Sequence, residues 1–339
     1  MKNVTMISRR SFLKAAMAAS AVSALAFTGC GGSASSTVAA SSAAASAAAE
    51  GGQTFKVGIV NYVDHASLNQ IVESVESRLD ELGAEKGVTF DYADYYANAQ
   101  ADQSNLNQIG ADLVGDGVDV IVAVATPTAA TMLAAVEDTD IPVVYSAVTD
   151  PAAAGFDGEE NITGTSDALN TEAIMKLITA VNPDIDTIGL LYDLSQDAST
   201  QAIADAKAFC DANGIKYIEK NGTTTAEVQM AAEALIAAGV KAVFTPTDNT
   251  VMTAELSIYE TFTEAGVQHY TGADSFALNG AFVGYGVDYV QLGEATAIWW
   301  QSCCARARPL QTCPTRPLIT ASSPSTPRHA KRWALTSTP

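Results

Sequence analysis

From Phe55 onward, short runs of almost purely apolar residues alternate with longer segments whose apolar residues recur every three or four positions. The runs at 55–60, 89–95, 118–124, 142–147, 187–192, 216–219, 242–246 and 268–272 read as strands. Helical spacing covers 67–86, 102–115, 127–137, 171–181, 199–213, 227–238 and 251–265. In the first of these, Leu68, Ile71, Val72, Val75, Leu79 and Leu82 share one face, and the pattern stops near Gly83 and Gly87. Near-continuous apolar strands joined by helices mark parallel sheets covered on both faces, with right-handed crossovers. The fold class is therefore α/β, as two Rossmann-like lobes with parallel sheets. The expected division is 54–147 with about 274–297 in lobe 1, and 148–273 in lobe 2.

In open parallel sheets, ligands bind beyond the carboxyl ends of the strands, where helix N-termini present free N–H groups. The residues found there are Asn61, Tyr62, Asp64, His65 and Ser67 after the first strand, then Thr126 and Thr128, then Ser146, Thr149 and Asp150. In the second half they are Asp193 and Ser195, then Thr247, Asp248 and Asn249, then Asp274 and Ser275, while 164–167 crosses the hinge. None of these positions is Lys or Arg. Hydroxyls and helix N-termini hold a carboxylate without a countercharge, Asp holds an ammonium group, and Tyr faces suit an apolar ligand body. A zwitterion fits all three. The same Ser, Thr, Asp and Asn residues are also ordinary helix caps, so each has a structural reading beside the functional one. The N-terminus at Thr126–Thr128 is expected to receive a carboxylate, with Asp248 or Asp274 facing the ammonium group from the other lobe.

Enzymatic readings find little support. The chain has no Gly-x-Gly-x-x-Gly, no Gly-x-x-x-x-Gly-Lys-Ser/Thr and no Gly-x-Ser-x-Gly. Asp64, His65 and Ser67 stand too close in sequence to act as orienter, base and nucleophile, and no catalytic residue is assigned. Three His and no paired Cys-x-x-Cys leave little for a metal site, and no cofactor is expected. A net charge of −20 argues against nucleic acid as a partner. A cytoplasmic regulator on this core would carry a basic helix-turn-helix ahead of it, and residues 1–54 contain none.

Both termini differ from the body. Ser8-Arg9-Arg10-Ser11-Phe12-Leu13-Lys14 resembles a twin-arginine export motif, and the apolar stretch after it ends at Thr28-Gly29-Cys30. That stretch is too short to span a bilayer, so 1–30 reads as a signal peptide ending at a lipidated Cys30. Residues 31–53 are almost wholly Gly, Ala, Ser and Thr and read as a flexible tether. The expectation is a monomer outside the cytoplasm, anchored to the cell membrane by lipid on Cys30. Residues 298–339 contain no acidic residue, against 38 in the whole chain, and hold Pro309, Pro314, Pro317, Pro324 and Pro327. Such a mixture reads as an atypical basic tail, translated out of frame after about residue 298. It should form neither long helices nor inner strands.

Several segments together resemble the ABC transporter substrate-binding proteins of the tryptophan/tyrosine-binding type. They are Gly58-Ile-Val-Asn-Tyr-Val-Asp-His-Ala-Ser67, Ala125-Thr-Pro-Thr128, Ser146-Ala-Val-Thr-Asp-Pro151, Asn161-Ile-Thr-Gly-Thr-Ser-Asp167, Thr247-Asp-Asn249 and Gly286-Val-Asp-Tyr-Val-Gln-Leu-Gly293. The resemblance implies a type I periplasmic-binding fold, with a ligand cleft between the lobes, that closes on an amino acid, often aromatic, and delivers it to a membrane permease. Binding positions carried over with it are Ser67, Thr126, Thr128, Asp150, Ser166, Asp167 and Asp248. Tyr62, His65, Asp193, Thr247, Asn249 and Asp274 complete the candidate set from the strand ends. The segment 192–197 departs from the family, which more often carries Asn and Glu there. A receptor for a sugar, nucleoside or purine-like solute remains the alternative on the same fold.

Overall fold

The computed structural model describes residues 52–303 and 316–317. The expected signal peptide, Cys30 and all but the end of the expected tether lie outside the described residues. In the first half, β1 (Thr54–Asn61), α1 (Ala66–Lys86), β2 (Thr89–Asp91), β3 (Tyr96–Asn98), α2 (Gln103–Asp116), β4 (Val120–Val124), α3 (Thr126–Ala135), β5 (Val143–Ser146) and β6 (Ile162–Ser166) follow one another. Then come α4 (Thr171–Val181), β7 (Thr187–Tyr192), α5 (Asp197–Asn213), β8 (Lys216–Asn221), α6 (Thr225–Ala237), β9 (Ala242–Thr245) and α7 (Asn249–Ala265). The series ends with β10 (Gln268–Ala273), α8 (Asp274–Leu278), β11 (Val283–Val287), α9 (Tyr289–Cys303) and β12 (Arg316–Pro317).

These strands form two sheets, ordered β12-β6-β5-β4-β1-β2, with β3 also on β1, and β11-β10-β9-β7-β8. Every pairing is parallel. Alternation along the strands sends side chains to opposite faces: Val120, Val122 and Val124 join one apolar cluster, while Ile121 and Ala123 join another. A third cluster holds Ile188, Leu190, Phe244 and Tyr270 against α4 and α5. Each fully buried aliphatic or aromatic side chain of this kind contributes about 1.5–3 kcal/mol. Helix ends follow local chemistry. The α1 helix starts at His65, whose ring accepts from Leu68 N, and stops at Gly87, whose φ of 68° suits a residue without Cβ.

Four details differ from the sequence reading. The single strand expected at 89–95 is two short pieces, because a turn closed by Tyr95 N to Tyr92 O separates β2 from β3. The lobes divide elsewhere: β6 pairs with β5 and stays in lobe 1, and β11 pairs with β10 in lobe 2. The crossings therefore fall at 167–170 and at Asp288, rather than at 147–148 and near 274. β6 reads Ile-Thr-Gly-Thr-Ser and lacks an apolar signature because it faces a polar partner: Thr165, with Ser146 of the neighbouring β5, bonds the buried Thr296 hydroxyl, at 2.7 and 2.9 Å. Finally, α9 continues past residue 298 to Cys303, and β12 pairs with Thr165 and Ser166 of β6. That strand lies on the sheet's edge, where Pro is tolerated.

The α9 helix covers lobe 1 by lying on α1 at Gly293. A Cβ there would stand 2.6 Å from Ile71 O and 2.8 Å from the Ser74 Cβ. Gly293→Ala should therefore lower stability by about 1–3 kcal/mol, since the two helices must separate. Gly115→Ala in α2, where nothing lies within 4 Å of the new methyl, should raise stability by up to about 1 kcal/mol. Urea unfolding midpoints of the two variants check the contrast.

Candidate functional site

With every strand parallel, each lobe presents its carboxyl ends, and the helix N-termini that follow, on one side. These two sides meet. His65 Nε2 lies 3.1 Å from Asn249 Oδ1 at the start of α7, and the Ser67 and Ser275 hydroxyls are 2.8 Å apart between α1 and α8. Tyr62 reaches toward Asp193 and Gln196, and burial followed by the Asp193 charge pushes its phenol up. The interlobe pocket is lined by Ala125, Thr126 and Ala147 from lobe 1, Ser195, Gln196, Asp197, Thr247 and Asn249 from lobe 2, and Asp167 and Tyr289 from the crossings. A water molecule's centre can reach only about 40 Å³ of it, room for a few waters.

Two helix N-termini open on that pocket. Neither Ala125 before α3 nor Gln196 before α5 makes a side-chain capping bond, so the first N–H groups of both helices lack the usual side-chain acceptor. The turn into α3 is strained. Ala125 has φ 79° and ψ 155°, a conformation that ordinarily requires Gly, and Ala147 has φ 58°. Strain in non-glycine residues concentrates at ligand-holding positions, and both of these line the pocket.

The acidic residues divide by what already holds them. Asp248 accepts from Val251 N at 2.9 Å, Asp193 N at 2.8 Å and Ser199 Oγ at 2.6 Å. It caps α7 and fastens the β7–α5 loop, so both of its oxygens already accept from lobe 2's own donors. Burial pushes its carboxyl up to about 6 against the pull of these bonds. Asp193 accepts from the Ser195 amide and hydroxyl and from Thr250 Oγ1, again within lobe 2. Asp167 accepts from Thr149 Oγ1 at 2.7 Å and Tyr289 OH at 3.0 Å, and burial without a nearby cation raises its carboxyl. Asp274 Oδ1 and Thr128 Oγ1 are buried without a hydrogen-bond partner. Asp274 is raised by burial and by Asp288.

Of the thirteen sequence candidates, Thr126, Asp167, Thr247 and Asn249 line the central pocket, and His65, Ser67 and Tyr62 lie at the seam between lobes. Asp150 and Ser166 sit apart from these. They border a separate cavity of about 380 Å³ with Leu169 and Thr171, and each is engaged locally: Asp150 holds Ala153 N, and Ser166 donates to Thr149 O. Sequence reasoning passed over Ala125, Ala147, Gln196 and Tyr289 as site residues. Backbone strain at the two Ala leaves no mark in residue type, and Tyr289 reaches the pocket only because the second crossing returns beside the first. Among the described residues, no group of three or more His, Cys, Asp or Glu could hold a metal ion.

Comparison with known proteins gives the family. The profile of the ABC transporter substrate binding protein family matches residues 56–302. The chain belongs to that family. It is 28% identical over 244 residues, 70% of this chain and 69% of the other, to a tyrosine-binding protein of Clostridioides difficile. A conserved domain protein from Vibrio cholerae O1 biovar El Tor superposes with a TM-score of 0.75 at 27% identity, covering 85% of this chain and 96% of that one. An ABC domain in complex with L-Trp from Streptococcus pneumoniae gives 0.71 at 27% identity, covering 79% and 90%. The two-lobed sheet arrangement is thus the type I periplasmic-binding fold. As a substrate-binding protein of an ABC transporter, it works outside the cytoplasm with a small-molecule solute and a permease as partners.

Two buried groups give this site a pH signature with opposite signs. Burial lowers His65 from 6.5 to about 4, so its contribution to stability is complete above about pH 6.5 and is lost as pH falls toward 4. Asp248 rises from 3.8 to about 6, so its contribution is complete below about pH 3.8 and is lost as pH rises through 6. His65→Gln should flatten the acid-side fall, and Asp248→Asn should abolish the decline between pH 4 and 6. Urea midpoints across pH 4–7 check both, each slope being on the order of 1 kcal/mol per pH unit. Ala125→Gly should raise stability by about 1 kcal/mol, because relief of strain exceeds the entropy of the added glycine.

Proposed function

We propose that this protein captures an amino acid between its lobes and hands it to the permease, without catalysis of its own. The observation that carries this reading is the pair of uncapped helix N-termini, α3 from one lobe and α5 from the other, opening on one pocket whose lining has no Lys or Arg. Helix N-termini favour an anion, and a carboxylate is the anionic group of an amino acid. Asp167 is the acidic partner we assign to the ammonium group. It is buried, it lines the same pocket, and its side-chain partners, Thr149 and Tyr289, are neutral hydroxyls. A ligand ammonium supplies the missing countercharge. The tyrosine-binding relative and the L-Trp complex support an aromatic amino acid within this class.

Thermal shift of the full chain against the common amino acids tests the reading, since a ligand at about 100 times its dissociation constant adds about 2.7 kcal/mol. Asp167→Asn keeps an acceptor for Thr149 and should weaken amino-acid binding by about 2–5 kcal/mol. A shift with nucleosides or sugars and none with any amino acid would overturn the assignment. We further propose that a lipid on Cys30, after twin-arginine export, holds the monomeric receptor at the membrane through the 31–53 tether. Cys30→Ala should move it from the membrane to the soluble fraction. The tail after about residue 298 is proposed to be out of frame, and the coding DNA read one or two bases over should then give an acidic helical sequence.

A further inference from the structure

The seam between the lobes contains hydrogen bonds made by lobe 1 residues that lie outside the pocket lining. His65 and Ser67 both stand at the start of α1, on lobe 1, and both reach lobe 2. The direction of the first contact follows from its far end. Leu68 N–H can only donate to His65 Nδ1, so the ring proton resides on Nε2, which donates to Asn249 Oδ1. The Asn249 amide is then oriented with its Nδ2 toward Gln196 Oε1 at 2.9 Å. The chain Leu68–His65–Asn249–Gln196 therefore has one consistent polarity, and it begins in lobe 1 and ends in lobe 2. The second contact, Ser67 to Ser275, is buried at both ends, so losing it leaves a hydroxyl without a partner. His65, Ser67 and Ser275 are absent from the pocket lining.

We propose that the first turn of α1 is an interlobe latch: His65 and Ser67 grip Asn249 and Ser275, and so set how tightly and how long a solute is held without touching it. These are positioning residues for the receptor function argued above, and the proposal rests on that reading. The physical link is population. A solute held between lobes binds the closed form, so its apparent affinity scales with the fraction of molecules that are closed. The pocket's few-water size means that an amino acid enters only when the lobes part, so breaking the latch should also speed release.

Ser67→Ala, Ser275→Ala and the double variant, made in the full chain, provide the test, because Ala at these positions leaves the pocket lining and the His65 cap intact. Without any solute, small-angle scattering should give a larger radius of gyration for all three variants than for the parent. With L-tyrosine as probe, stopped-flow measurements should show dissociation about 3- to 10-fold faster, with association little changed. The double variant should match the singles, since both remove one bond. Unchanged scattering, or additive effects of the two substitutions, would overturn the latch. If the parent binds no amino acid but the scattering still shifts, the latch stands and the amino-acid assignment falls. Should either Ala variant unfold, the Ser→Thr exchange at the same position, which keeps a hydroxyl, must restore the parent dissociation rate for the latch to survive.

Discussion

The arrangement rests on one constraint, the parallel direction of every strand pair. A parallel ladder cannot be closed by a tight turn, so each strand must be followed by a crossover, here mostly a helix, that returns the chain to the same starting edge. All carboxyl ends then collect on one side of a lobe, together with the positive ends of the helices. Two such lobes facing each other place helix N-termini around a shared gap. The pocket between Ala125 and Gln196 follows from that geometry before any particular side chain is chosen.

The second theme is negative charge buried without cations. The chain carries 38 acidic residues against 18 Lys and Arg, and Asp167, Asp193, Asp248 and Glu255 are all buried. Hydroxyls, amides and one imidazole stand in for countercharges. Asp248 takes two backbone N–H groups and Ser199, and Glu255 faces His269, whose other nitrogen meets Thr245. Neutral donors satisfy geometry but leave the desolvation of the charge only partly offset, which is why burial leads the upward shifts of Asp167 and Asp248. A carboxylate in that condition at a cleft is receptive to a cation from outside.

Strands and helices with strong apolar runs were legible in the residues, because a buried parallel strand such as β4 admits almost nothing but Val, Ile and Ala. The short or hydroxyl-rich pieces were not. β6 is buried yet reads as a loop because Thr165 meets Thr296, a partner 131 positions away, and β11 is interrupted by Gly284 and Gly286. The same ambiguity governed the site. Asp248 and Asp193 have the residue type of a ligand contact and the role of a cap, and Asp150 secures its own turn. Which polar group at a strand end faces the opposite lobe depends on where the chain crosses, and no local pattern records that. The strand–helix pattern supplied two α/β lobes and the family resemblance a closing cleft between them, while the seam through His65 and Ser67 emerged only from the packed lobes.

The bond from Tyr289 OH to Asp167 joins the two crossings, one leaving lobe 1 after β6 and the other returning before α9. Two independent strands between rigid bodies would let those bodies tilt, slide and twist with similar ease. One rung between the crossings makes them a coupled pair, which bends together more readily than its members slide past each other. If the lobes part to admit a solute, as proposed above, the two crossings bend together about that rung, and the α3 and α5 N-termini separate by a swing around it. A surface read by a permease can then report one variable, the angle of that swing.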